Sequence, residues 1–156
     1  MKNKNYLSLL IWIIALMFIG WTLGSVTKAE VSTWYSTLNR SPLTPPNYMF
    51  GIAWTILYVL IAISGWMIWQ KQFQNLKNIK SLYIAQLLLN WSWTPLFFLY
   101  HLTDISLVVL LTMNILVAAI IYQSYAKMKL VSLLMAPYMA WILFAAYLNF
   151  YVWQYN

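Results

Sequence analysis

Residues Tyr48–Trp69, YMFGIAWTILYVLIAISGWMIW, form an apolar stretch without a single charged side chain. A hydrocarbon core of about 30 Å needs about 20 such residues in a helix, and this run is long enough. Four more runs of similar character flank it, at Tyr6–Val26, Ile79–Leu99, Asp104–Tyr125 and Leu130–Trp153. Barrel strands would alternate over about 10 residues, which these unbroken runs do not. The expected fold is therefore an all-α membrane protein, a bundle of five transmembrane helices in one domain spanning 1–156. Its longest loop is 27–47.

Composition agrees with that reading. Hydrophobic residues make up 63% of the 156 and charged residues only 7%, against about 25% charged in a soluble domain. Nine basic and two acidic side chains cannot clothe a water-facing surface of this size. The net charge of +7 lies between apolar runs, where loops carry it, and no basic patch suggests nucleic acid. With no cysteine, disulfides, thiolate metal sites and cysteine nucleophiles are excluded. The first run follows Lys2 and Lys4 like a signal peptide. Its apolar part exceeds an h-region of about 7–15 residues, so a retained helix is expected.

Basic residues set the orientation. Lys2, Lys4, Lys71, Lys77, Lys80, Lys127 and Lys129 fall on one side, Lys28 and Arg40 on the other. The richer side is expected in the cytoplasm, which puts the N-terminus inside and the C-terminus outside. The outer loop then holds a short helix within Glu30–Asn39, where Val31, Trp34, Tyr35 and Leu38 recur at helical spacing. Ser41-Pro42-Leu43-Thr44-Pro45-Pro46 follows. Its three prolines make a stiff, non-helical segment, readable as a connector or as a lid.

The spans lack buried charge. Lysines and Arg40 sit in loops or at helix ends, and Asp104 suits the start of a helix. His101, the single histidine, lies beside it and reads as a solvated loop residue. No metal cluster or Ser–His–Asp arrangement is visible. Absent charge argues against a proton-coupled pump and a charge-lined channel. The polar residues left in the spans include Asn90, Asn114 and Asn149. An amide in lipid must face a neighbour or a cavity, so each is interhelical glue or part of a site. Helical spacing aligns Trp54 with Tyr58, Asn90 with Trp93 and Phe97, and Trp141 with Ala145 and Asn149. Such faces either fill the core or bind a flat apolar ligand by stacking and an orienting hydrogen bond. Gly20-x-x-x-Gly24 allows close approach, in a homodimer contact or within the bundle.

These residues resemble a known family. Trp34-Tyr35, Thr44-Pro45-Pro46, Phe50-Gly51 and Trp54-Thr55-Ile56-Leu57-Tyr58 are similar to the first loop and second helix of the TspO/MBR family. These are the tryptophan-rich sensory proteins, which include the translocator (peripheral benzodiazepine receptor) proteins. Asn90-Trp91-Ser92-Trp93 with Leu96-Phe97-Phe98 looks like that family's third helix. Pro137-Tyr138-Met139-Ala140-Trp141 through Leu148-Asn149-Phe150-Tyr151-Val152-Trp153 looks like its fifth. The resemblance implies a pocket for tetrapyrroles, such as porphyrin or haem, and for drug-like or sterol-like small molecules, with no cofactor of its own. Matched by motif, the pocket takes Tyr35, Pro45, Trp54, Asn90, Trp93, Trp141 and Ala145, to which helical spacing adds Tyr58, Phe97 and Asn149. Some members degrade protoporphyrin under light, and Trp54 and Trp141 match the tryptophans assigned to that chemistry. Binding protein or sensor, light- and oxygen-dependent degrading enzyme, and transporter are the three functions implied. The resemblance and the short chain also imply a bacterial-type plasma membrane. Three departures stand out. Leu43 replaces a common tryptophan and Asn114 a common aspartate, and no basic residue follows Tyr151 to complete a sterol pattern.

Overall fold

The computed structural model describes residues 6–70 and 77–156. Lys2, Lys4 and Lys71, counted above for orientation, lie outside them. The elements are α1 (Tyr6–Val31), α2 (Trp34–Thr37), α3 (Asn47–Gln70), α4 (Lys77–Thr94), a π-helical turn (Pro95–Leu99), α5 (Thr103–Tyr125) and α6 (Lys129–Tyr155). Among the described residues there is no strand. α1, α3, α5 and α6 are each long and apolar enough to cross a membrane. The third expected span is the exception. α4 is helical, but Lys77, Asn78, Lys80, Gln86 and Asn90 dilute its apolar content, so the structure supports four such helices rather than five.

Two boundaries differ from expectation. α1 runs five residues past Val26, because Thr27–Val31 contains no breaker and Val31 is buried at its end. The expected loop helix is accordingly divided. Glu30 and Val31 end α1, Ser32 and Thr33 turn, and only Trp34–Thr37 forms α2. The non-helical loop is thus shorter than 27–47, and its proline segment closes a turn in which Thr44 N donates to Ser41 O at 2.9 Å.

Pro95 opens the π turn. A proline has no N–H to give the carbonyl four residues back, so one bond of the α-helical ladder is lost at this position. The backbone widens instead, and Tyr100 N reaches five residues back to Pro95 O at 2.9 Å. The neighbours Phe97 and Phe98 are both buried as a result.

α1 packs antiparallel on α3. Trp66 Nε1 donates to Ser8 Oγ at 3.0 Å, and further along Gly20 faces the Tyr58 ring. A Cβ added at Gly20 would lie 2.7 Å from Tyr58 Cδ2, whereas one at Gly24 would meet nothing within 4 Å. Gly20 therefore serves packing inside the bundle. α3 also packs on α6, α6 on α5, and α5 on α4.

One end of the bundle gathers the end of α1, the proline loop, residues 100–102 and the end of α6. Glu30 Oε2 lies 3.7 Å from His101 Nε2. Asn39 N donates to Asn156 Oδ1 at 2.8 Å, and Asn156 Nδ2 returns a bond to Asn39 O at 3.2 Å. Ser41 and Tyr147 hydroxyls meet at 2.9 Å. The proline loop is thus tied to α6 rather than free.

Candidate functional site

Below that end lies a connected group of rings. Trp54 of α3 sits 5.9 Å from Tyr58 and 6.3 Å from Trp93 of α4, centroid to centroid. Trp93 stacks on Phe97 at 5.5 Å and 18°. Tyr35 of α2 meets Phe97 edge-on at 6.0 Å and Phe98 at 5.7 Å. Trp34 joins from the side, 5.5 Å from Phe97, and is itself stacked on His101 at 3.9 Å. His101 has φ 56°, the left-handed region that few non-glycine residues adopt. Its place as an exposed loop residue agrees with the sequence reading.

The buried amides Asn90 and Asn149 hold four helices together, α3, α4, α5 and α6. Tyr58 Oη donates to Asn90 Oδ1 at 2.7 Å, and Asn90 Nδ2 donates to Tyr138 Oη of α6 at 3.0 Å. Tyr138 Oη in turn donates to Gln86 Oε1 at 2.9 Å. Asn149 Oδ1 accepts from Ser106 Oγ at 2.8 Å and from Trp93 Nε1 at 3.3 Å, while its Nδ2 donates to Thr103 O at 2.6 Å. Asn114 differs. Its Nδ2 bonds back to Leu110 O of its own helix at 2.9 Å, so it joins no neighbouring helix.

Of the expected site residues the structure brings together Tyr35, Trp54, Tyr58, Asn90, Trp93, Phe97 and Asn149, with Ala145 buried one turn before Asn149. Trp141 belongs to a second ring group, 6.1 Å from Phe50 and 5.9 Å from Phe144. Phe50 lies one turn before Trp54 on α3, so the two groups adjoin. Pro45 is not among the rings. It lines an open cavity of about 690 Å³ under the proline loop, with Arg40, Thr44, Asn47 and Tyr151. Gln86 and Tyr138 were missed. Gln86 is four residues before Asn90, a spacing that could have found it. Tyr138 lies seven and eleven residues before Ala145 and Asn149, so it shares their face of α6, and the same kind of spacing could have found it.

Two features of this region bear on ligand chemistry. Trp141 Nε1 and Gln86 Nε2 are buried donors without a partner among the described residues. A buried N–H left unpaired is costly, so each would gain from an acceptor. At the loop, burial raises the Tyr35 phenol above its ordinary pKa, against the opposing influence of Thr44 and the Arg40 charge. Tyr35 is therefore a neutral phenol under its ring neighbours. No group of His, Asp and Glu among the described residues could hold a metal ion.

Apolar helices around an aromatic interior, with amides in place of buried charge, define an integral membrane protein. The comparisons agree. The TspO/MBR family model matches residues 11–154. The chain is 39% identical to the tryptophan-rich protein TspO of Archaeoglobus fulgidus, over 97% of this chain and 99% of that one. It is 33% identical to the translocator protein of Bos taurus, over 93% and 91%. It is 31% identical to protein CrtK of Rhodobacter capsulatus, over 92% of each. The chain belongs to the TspO/MBR family.

Proposed function

We propose that this protein binds tetrapyrroles and other flat apolar molecules within the membrane, as a sensor or carrier of that ligand class, at the rings of α3, α4 and α6 beneath the proline loop. The observation that carries this reading is the continuous ring group from Trp54 through Trp93 and Phe97 to Tyr35. It offers stacking faces from two helices and a loop, beside the unpaired Trp141 N–H that can orient a heteroatom. Degradation at Trp54 and Trp141, and transport, both require binding first. Drug-like and sterol-like molecules fall in the same class. Homodimerisation would leave this site within one copy.

The same proposal includes five crossings of a bacterial-type plasma membrane, with the N-terminus in the cytoplasm and the C-terminus outside. The support is topological. Glu30 and His101 meet at one end of the bundle. α3 leads away from that end, and among the described residues between it and residues 100–102 the helix that returns is α4 with its π turn. If α3 crosses, Lys77–Leu99 must cross back.

Hydrogen exchange with and without protoporphyrin in the dark tests the site. Saturating ligand is expected to slow exchange in residues 34–58, 86–99 and 138–149. Exchange unchanged in all three, at a concentration that saturates binding, would place the ligand elsewhere.

A further inference from the structure

The chain has only two carboxylate side chains, Glu30 and Asp104. Both are engaged. Glu30 lies 3.7 Å from His101, and Asp104 Oδ1 accepts from Ile105 N at 2.8 Å at the start of α5. Arg40 has neither as a partner. Its guanidinium lies over the Tyr35 ring, 5.3 Å from the centroid, and its side chain lines the open cavity under the proline loop. The rest of that lining is largely polar and neutral, with Asn39, Ser41, Thr44 and Asn47. Asn47 is also the first residue of α3, a 24-residue helix. The positive end of its dipole therefore adjoins the same space.

We propose that this cavity is a carboxylate site, in which Arg40 and the start of α3 hold an acid group carried on the edge of the bound ligand. Arg suits the task because its planar fork matches a carboxylate with two parallel N–H donors. Position suits it too. Arg40 lies on Tyr35, and Tyr35 touches Phe97 and Phe98 of the ring group. A flat molecule among the rings would present its polar edge to Arg40 at the outer mouth. The ligand class narrows accordingly, from flat apolar molecules to flat molecules bearing an acid at one edge. This inference rests on the binding reading above.

The test compares protoporphyrin, a dicarboxylic acid, with its dimethyl ester, in uncharged detergent and in the dark. Wild-type protein, Arg40→Gln and Arg40→Lys are titrated by tryptophan quenching. Wild type is expected to prefer the diacid by roughly tenfold, the worth of one charge-assisted bond. Arg40→Gln is expected to bring the diacid down to the ester's affinity, and Arg40→Lys to retain part of the preference. Adding an anionic phospholipid distinguishes a second source of the same chemistry. If the lipid abolishes the diacid preference in wild type, its phosphate occupies the cavity and the ligand assignment is overturned. Equal affinity for diacid and ester in wild type would overturn the inference while leaving ring binding intact. An Arg40→Gln protein that weakens both compounds alike would do the same, since Arg40 would then act on the loop's structure. If neither compound binds wild type, the binding reading fails and this inference falls with it.

Discussion

Asn90 shows how one amide can organise a membrane interior. It accepts from Tyr58 and donates to Tyr138, so a single side chain joins α3, α4 and α6. Removing a partner leaves buried polar groups unpaired, which costs more than the bonds contribute when made. Tyr138→Phe is therefore expected to lower stability by about 1–3 kcal/mol, because Asn90 Nδ2 and Gln86 Oε1 both lose a partner. Thermal unfolding in detergent followed by circular dichroism would show it. An unchanged midpoint would mean the network is dispensable. Asn114 gives the contrasting case. Its Oδ1 is buried without a partner, so Asn114→Leu is expected to be neutral or stabilising by up to about 1 kcal/mol. A clear loss of stability would indicate an acceptor role for that oxygen. At this scale the sequence was informative where one helix decides. Trp54 with Tyr58, and Asn90 with Trp93 and Phe97, share faces by spacing alone. It was silent on which residue of another helix would meet them, so the bond between Asn90 and Tyr138 was not legible. It also could not say that Asn114 would turn back on its own backbone.

Helices add a second kind of constraint, the distance at which two of them can pack. Gly20 and Gly24 look equivalent in the sequence, yet only Gly20 lies against another side chain, the Tyr58 ring. Gly20→Ala is expected to push that ring and weaken its bond to Asn90, lowering the unfolding temperature. Gly24→Ala places its methyl in open space and is expected to leave stability unchanged or raise it by up to about 1 kcal/mol, the helix preference of Ala over Gly. The reverse order in the same unfolding assay would mean that α1 packs through its other face. The length of the apolar runs located the long helices, because lipid imposes such runs. It did not locate the end of α1, where nothing in Thr27–Val31 distinguishes helix from loop. Nor did it reveal the π turn that Pro95 opens.

Across the whole molecule the proposed orientation sets which end faces the cell exterior. The absence of cysteine gives a clean background for single-cysteine variants. Ser36 is exposed in the loop and Lys127 is exposed at the opposite end. In intact cells, Ser36→Cys is expected to react with a membrane-impermeant maleimide and Lys127→Cys only after lysis. The opposite pattern would invert the proposed orientation, and labelling of both in intact cells would break the crossing count. The charge asymmetry that suggests this orientation was visible in sequence, because loops carry their lysines openly. The depth of α4 within the bundle was not, because a helix shielded by neighbours can hold amides that a lipid-facing helix cannot.

The most direct test of the central claim is a dark titration of purified protein with protoporphyrin, followed by tryptophan fluorescence, with Trp54→Phe and Trp141→Phe alongside. The account predicts saturable quenching in wild type, weaker affinity when Trp54 loses its indole face beside Trp93, and weaker affinity again when Trp141 loses its unpaired N–H. Quenching that does not saturate, or affinity unchanged in both variants, would contradict it and leave these rings as packing alone.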